Sequence, residues 1–103
     1  MVIGNCRTNA DVDALMERIR SLSHETDMRF RWADDGARRG SMYTFNMAHA
    51  LIAKARKART CAMRGHWLAL AIENLERTLA GLPGEGAYRK EYAIHGSGQV
   101  RVV

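Results

Sequence analysis

Apolar residues recur three or four positions apart in three separate segments of this 103-residue chain. Such spacing places them on one face of an α-helix, and it restricts the possible folds more than any other feature of the sequence. The pattern predicts three helices, at about residues 9–22, 45–63 and 66–80. Their apolar faces are formed by Val12, Leu15, Met16, Ile19 and Leu22, then by Phe45, Ala48, Leu51, Ile52, Ala55 and Ala62, and last by Trp67, Leu68, Ala71, Ile72, Leu75 and Leu79.

Capping signals indicate where these helices end. Thr8 or Asn9 can cap the first helix, and Asp11 completes a pattern that resembles a capping box. Gly65 is predicted to end or kink the second helix, because glycine costs about 1 kcal/mol inside a helix relative to alanine. The run 81–84, which contains two glycines and a proline, ends the third. The second and third helices are therefore expected to form an antiparallel hairpin joined near Arg64 and Gly65.

Residues 28–32 follow a different pattern. Met, Phe and Trp alternate there with two arginines, which predicts a half-buried strand with a basic outer face. The Asp-Asp-Gly sequence at 34–36 predicts a turn. Residues 38–44 allow two interpretations, either a second strand or the start of the next helix with Ser41 as its cap.

The final segment, 88–103, contains two short β-prone runs at 91–94 and 99–103 around a glycine-rich link. A hairpin and a frayed, flexible tail are equally compatible with this pattern. The sequence thus predicts a single, mainly α domain over residues 1–103 with a small β element. The alternative is an α+β fold with a three- or four-stranded antiparallel sheet.

Positive charge is concentrated in the central third of the chain. The net charge of the whole chain is +5, whereas residues 28–64 hold nine basic and two acidic residues, a net of +7. Clustered arginine and lysine attract polyanions, and counterion release makes such binding salt-dependent. The predicted partner-binding residues are Arg29, Arg31, Arg38, Arg39, Lys54, Arg56, Lys57, Arg59 and Arg64. The alternative is a solvated face without a partner.

Two of the aromatic residues of this region, Phe30 and Trp32, are assigned to the core. Phe30, Trp32 and Tyr43 lie among four arginines, an interleaving that single-stranded nucleic-acid platforms use. The strict alternation of 28–32, however, places Phe30 and Trp32 on the face opposite to the arginines. The predicted contact surface is therefore the basic side chains alone.

No motif for catalysis or for cofactor binding is complete. Residues 81–86 match the two glycines of a phosphate-binding loop but lack the lysine and the hydroxyl residue that must follow them. The histidines are isolated, and no cysteine pair has the spacing of zinc ligands. Cys6 and Cys61 are expected to be free thiols. The sequence therefore predicts a protein that is not an enzyme and holds neither a metal nor a cofactor.

Taken together, these features predict a small, cytoplasmic binding protein that contacts nucleic acid or an acidic protein surface. No apolar stretch approaches the roughly 20 residues of a membrane span. Two alternatives stay open. One is a protein–protein regulator or inhibitor of bacterial phage or plasmid type that acts on a host complex, and the other is a homo-oligomeric helical adaptor, such as a dimer, that associates through the alanine-rich segment 45–80.

Overall fold

The computed structural model describes residues 6–82, and this part of the chain forms three α-helices. Helix α1 spans Asn9–Trp32, α2 spans Asp35–Lys57 and α3 spans Cys61–Ala80. The mainly α prediction is confirmed. The β element at 28–32 and the alternative α+β sheet are wrong for this part of the chain, since residues 6–82 contain no strand. The runs 91–94 and 99–103, like the rest of the predicted 88–103 tail or hairpin, lie outside the described residues.

Each helix begins at a side chain that accepts a hydrogen bond from a free backbone N–H. Thr8 forms the predicted capping box of α1: its hydroxyl accepts from the N–H of Asp11 at 3.3 Å, and the Asp11 carboxylate accepts from the N–H of Thr8 at 3.0 Å. Asp34 caps α2 and Thr60 caps α3 with a single bond each, accepted from the N–H three residues later. Since such a cap is worth about 1 kcal/mol, these residues determine where the helices start.

Helix α3 is the centre of the arrangement, because both other helices pack against it. The hydroxyls of Thr44 and Thr78 lie 2.7 Å apart, and Lys54 lies over Trp67, so α2 and α3 are antiparallel, as predicted. Helix α1 runs parallel to α3. Asn9 at the start of α1 contacts Cys61 at the start of α3, and Arg18, farther along α1, contacts Glu76, farther along α3. The buried core consists of Ile19, Leu22, Ala48, Leu51, Ile52, Ala55, Leu68, Ala71, Ile72, Leu75 and Leu79.

The predicted strand at 28–32 is the last part of α1. The ring of Phe30 meets Phe45 of α2 edge-on, with 5.2 Å between centroids. Arg29 turns to another face of the helix, where it pairs with Glu25 at 3.3 Å and donates to the carbonyl of Leu79 at 3.2 Å. Alternation over five residues is too short to specify a strand once both kinds of side chain find partners on a helix.

Helix α2 starts ten residues before its predicted beginning. The expected turn at 34–36 contains its N-cap, Asp34, whose carboxylate accepts from the N–H of Ala37 at 2.8 Å. Residues 38–44 are therefore helical, and Ser41 is a buried residue within the helix and not its cap.

The break between α2 and α3 lies at residues 58–60, before the predicted position at Arg64 and Gly65. Gly65 neither ends nor kinks a helix: it is buried inside α3, where the side chain of Cys6 packs directly on it. The predicted end of α3 at residue 80 is confirmed, with the N–H of Gly81 donating to the carbonyl of Arg77 at 3.1 Å.

Candidate nucleic-acid interface

The nine basic residues predicted to form one surface fall into two groups at opposite ends of α2. Arg29, Arg31, Arg38 and Arg39 lie near the α1–α2 connection, whereas Lys54, Arg56, Lys57, Arg59 and Arg64 lie near the α2–α3 connection. Between Arg39 and Lys54 the helix rises by about 22 Å. A single continuous basic surface is therefore not formed.

Two arginines of the first group satisfy helix ends. The Nε of Arg38 donates to the carbonyl of Phe30 at 2.9 Å, close to the end of α1. Arg29 donates to the carbonyl of Leu79 near the end of α3. Backbone carbonyls in the last turn of a helix lack partners within it, so these contacts are structural. Of this group, Arg31 and Arg39 are exposed, whereas Arg29 and Arg38 are partly buried.

Three members of the second group surround an aromatic ring. A shallow concavity of about 360 Å³, here called the Trp67 surface, is lined by Lys54, Lys57, Ala58, Arg59, Met63 and Trp67. The last turn of α2, the connection and the first two turns of α3 bring these residues together. The lining contains three cations and no carboxylate. At the other basic end, Arg29 shares a pocket with Met28, Trp32 and the carboxylate of Glu25, so the lack of a carboxylate distinguishes the Trp67 surface.

The indole of Trp67 is half-buried and already holds a cation. The Nζ of Lys54 lies 4.8 Å from its ring centroid, within the range of a cation–π interaction. The ring of His66 meets the indole edge-on, also at 4.8 Å. Met63, one turn earlier in α3, is 46% exposed. The ring thus lies at the surface, bordered by flexible side chains that can move away from it.

The position of Trp67 at the surface does not follow from the sequence pattern, because its helical spacing assigns it to the buried face. One signal could have separated it from the core. Trp67 and Leu68 are adjacent, and adjacent residues on a helix project about 100° apart. Leu68 is 2% exposed and occupies the core position, so Trp67 is left on the rim of the apolar face.

Arg56 and Arg64 belong to a different face. They border a cavity that lies between α1 and α2 above α3, here called the α1–α2 groove, whose other lining residues are Val12, Met16, Ile52, Ala55 and Leu68. Arg56 is exposed, and the Nε of Arg64 donates to the carbonyl of Ala58 at 3.2 Å. Of the nine predicted residues, Lys54, Lys57 and Arg59 therefore share a surface with an aromatic ring and no carboxylate, whereas Arg29 shares a pocket with Trp32 and Glu25.

The two thiols lie beside the first turn of α3. Burial, followed by the nearby Asp11 carboxylate, raises the pKa of Cys6, which favours the protonated thiol over the nucleophilic thiolate. The Sγ of Cys61 is 3.5 Å from the Oδ1 of Asn9. Both thiols are free. Among residues 6–82, no three His, Cys, Asp or Glu side chains converge in a way that could hold a metal ion.

Comparisons with known proteins give no relative. Neither the models of protein families, nor the curated proteins, nor the solved structures contain a match to this chain. No helix within the described part of the chain is long and apolar enough to cross a membrane. Function therefore has to be inferred from the chemistry of the surfaces themselves.

Proposed function

We propose that this protein is a non-enzymatic nucleic-acid-binding module and that the Trp67 surface is its contact site. The observation that supports this function is the set of three cations around an accessible indole, with no carboxylate in the lining. Lys57 and Arg59 are exposed and make no ion pair with any residue between 6 and 82, so both charges are available to a ligand.

The chemistry of the Trp67 surface matches two features of a nucleic-acid strand. Its cations can pair with successive phosphates, which releases counterions. Its indole offers a π-face to an unpaired base, and such stacking contributes about 1–3 kcal/mol per base. Single strands expose these faces, whereas a duplex keeps its bases stacked on each other. A single strand is therefore the form that uses both features.

Lys54 covers the ring in the unbound protein, so binding has to displace it. An exposed cation–π pair contributes about 0.5–1 kcal/mol, which is no more than stacking of one base provides. The displaced ammonium can then pair with a phosphate of the same strand. The exchange replaces one contact of Lys54 by another and leaves the indole free for the base.

Tryptophan fluorescence provides a direct test. The chain contains two tryptophans, so a Trp32→Phe background leaves Trp67 as the sole reporter. An oligothymidylate of about 12 nucleotides is titrated against it. We expect quenching of Trp67 and, with three phosphates neutralised, a roughly 20-fold loss of affinity between about 50 and 200 mM salt.

Charge variants near the two ends of α2 allow a comparison in which three cations are removed at the Trp67 surface and two at the other end. Lys54→Gln, Lys57→Gln and Arg59→Gln together should remove most of the salt dependence and weaken binding. Arg31→Gln with Arg39→Gln changes exposed arginines at the other end and should leave affinity nearly unchanged. Equal losses in both variants, or no binding at low salt, would show that the Trp67 surface is not the site.

Competition with polyglutamate distinguishes a nucleic-acid partner from an acidic protein partner. It carries the negative charge but has no base to stack. We expect it to compete weakly and in a salt-dependent way, without quenching Trp67. If polyglutamate quenches the indole and excludes the oligonucleotide at equal charge concentration, the preferred ligand of this surface is an acidic protein.

A further inference from the structure

The α1–α2 groove results from the way the helices pack. Both α1 and α2 lie on α3, and close to the connection between them the rings of Phe30 and Phe45 are in contact. Farther along the two helices, Met16 of α1 and Ile52 of α2 line opposite walls of an open cavity, and Leu68 of α3 forms its floor. Apolar walls that face an unfilled space lack the dispersion contacts of a packed core.

The size of the groove limits what can occupy it. Its volume is about 150 Å³. An apolar cavity of about this volume holds a molecule the size of benzene, which corresponds to one leucine or phenylalanine side chain. A long acyl chain does not fit. A nucleotide base fits poorly for a different reason, because its polar edges would lose their hydrogen bonds to water against these walls.

Two guanidinium groups border the apolar walls. Arg56 makes no hydrogen bond or ion pair within residues 6–82, and Arg64 uses its Nε while its terminal nitrogens have no partner in the same part of the chain. Guanidinium groups bind carboxylates through paired, charge-assisted hydrogen bonds. An apolar cavity next to two such groups is complementary to a large apolar side chain with acidic residues beside it.

We propose that the α1–α2 groove docks an acidic segment of a partner protein, which inserts one leucine-sized side chain and pairs its carboxylates with Arg56 and Arg64. In protein interfaces a few side chains buried in well-packed pockets carry most of the binding energy, and arginine is enriched among them. The groove and the Trp67 surface lie on different faces of the α2–α3 pair, so this docking does not depend on nucleic-acid binding. Both ligands together would make the protein a bridge between a nucleic acid and an acidic protein.

Methionine methyl groups report on the two faces separately. Met16 lines the groove and Met63 lines the Trp67 surface, so ¹³C-methyl-methionine NMR of the full chain follows both. The probe is a blocked peptide with one leucine between pairs of glutamates, and its control has alanine in place of leucine. We expect the leucine peptide to shift the Met16 signal and leave Met63 in place. The alanine peptide should bind at least tenfold more weakly, because alanine leaves most of the groove unfilled.

Two variants test the contacts within the groove. Arg56→Gln removes one guanidinium without touching the core and should weaken the leucine peptide about tenfold. Val12→Phe fills the groove from its half-buried rim and should abolish binding. If Val12→Phe does not fold, Arg56→Gln still tests whether the peptide binds in the groove. A Met16 signal that does not move, that moves equally with the alanine peptide, or that is indifferent to Arg56→Gln would overturn the proposal.

The oligonucleotide provides the reciprocal experiment. We expect it to shift Met63 and not Met16, and a variant that blocks the groove should bind it normally. Loss of peptide binding with intact oligonucleotide binding would reject only the groove. Loss of oligonucleotide binding with intact peptide binding would reject only the proposed function. If the peptide shifts the methyl signals of both Met16 and Met63, it binds by charge attraction without a specific site, and the groove proposal is overturned.

Discussion

Gly65 and Cys6 are in direct contact: a Cβ placed on Gly65 would lie 2.7 Å from the Cβ of Cys6. Real Cβ atoms do not approach so closely, so the absence of a side chain at position 65 is what allows the segment before α1 to reach α3. The same contact buries Cys6, which is 7% exposed. Gly65 is therefore the residue of α3 on which the segment before α1 packs.

Replacing Gly65 by alanine should destabilise the protein. Alanine favours the helix by about 1 kcal/mol relative to glycine. Displacing Cys6 costs more, since inserting a methyl group into a packed site typically costs about 1–3 kcal/mol. We expect a net loss, measured as a lower urea midpoint with an unchanged slope of the unfolding transition.

Gly40→Ala is the matched control for this prediction. Gly40 is also helical, but no heavy atom lies within 4 Å of the place its Cβ would occupy. Only helix propensity then acts, and stability should rise by up to about 1 kcal/mol. If both alanine variants shift the urea midpoint in the same direction by a similar amount, the Cys6 contact does not constrain position 65.

Two buried threonines show how much a hydrogen bond between α2 and α3 contributes to stability. Thr26 and Thr78 are both fully buried, and each hydroxyl donates to the carbonyl four residues earlier, at 2.7 and 2.8 Å. Only Thr78 also meets a hydroxyl of another helix, that of Thr44 at 2.7 Å. Thr78→Val should therefore lower the free energy of unfolding by about 1 kcal/mol more than Thr26→Val.

Chemical denaturation of the two valine variants measures this difference, and a Thr44→Val variant completes a double-mutant cycle with Thr78→Val. The cycle should give a coupling energy of about 1 kcal/mol between positions 44 and 78. Equal effects of the two single valine variants, together with zero coupling, would mean that the cross-helix hydroxyl contact adds nothing to stability.

The parts of the fold that the sequence predicts well depend on local chemistry. The capping box of Thr8 and Asp11 and the end of α3 before Gly81 require only neighbouring residues. The errors concern residues whose conformation is decided by distant contacts. Phe30 lies in a helix and packs on Phe45, fifteen positions away, and Gly65 lies inside α3, where Cys6 occupies the space that a side chain would need.

The sequence predicts which basic residues are concentrated in the central segment, but it does not predict which of them lie together in the folded protein. Charge counting correctly identified an excess of cations at 28–64, yet it cannot show that Arg29 and Arg38 are used by helix ends. Nor can it show that Lys54 lies over Trp67, since that pair is formed only when α2 folds back on α3. Periodicity assigned Trp67 to the core because a residue at the edge of an apolar face has the same spacing as one at its centre.

Arg38 and Arg39 should respond differently to the same substitution. Arg38 donates to the carbonyls of Phe30 and Arg31 and lies 3.8 Å from Asp35, whereas Arg39 is exposed without a partner in the described residues. Arg38→Ala should lower the free energy of unfolding by about 1 kcal/mol. Arg39→Ala should stay within about 0.5 kcal/mol of the parent. Thermal or urea unfolding compares them, and equal stability of the two variants would assign no structural role to Arg38.

The Asp11 carboxylate makes stability depend on pH in the acid range. Its hydrogen bonds from the N–H groups of Arg7 and Thr8, in that order, lower the pKa of Asp11 from its ordinary value. A carboxyl with a lower pKa in the folded state stabilises that state fully above its unfolded pKa of about 4, and the contribution is lost as pH falls through the folded value. Asp11→Asn should therefore be less stable than the parent at neutral pH, and this difference should shrink below about pH 4.

Asp13→Asn is the control for the pH dependence of Asp11. It removes a carboxylate from the same end of α1, but Asp13 makes no hydrogen bond or ion pair with the described residues. This variant therefore measures the effect of losing a charge near the helix N-terminus while the cap stays intact. Urea unfolding of the parent and both variants between about pH 3 and 7 measures the three curves. We expect the curve of Asp13→Asn to follow the parent and that of Asp11→Asn to be flatter. Parallel curves for all three proteins would show that the capping carboxylate is not the group that titrates with unfolding.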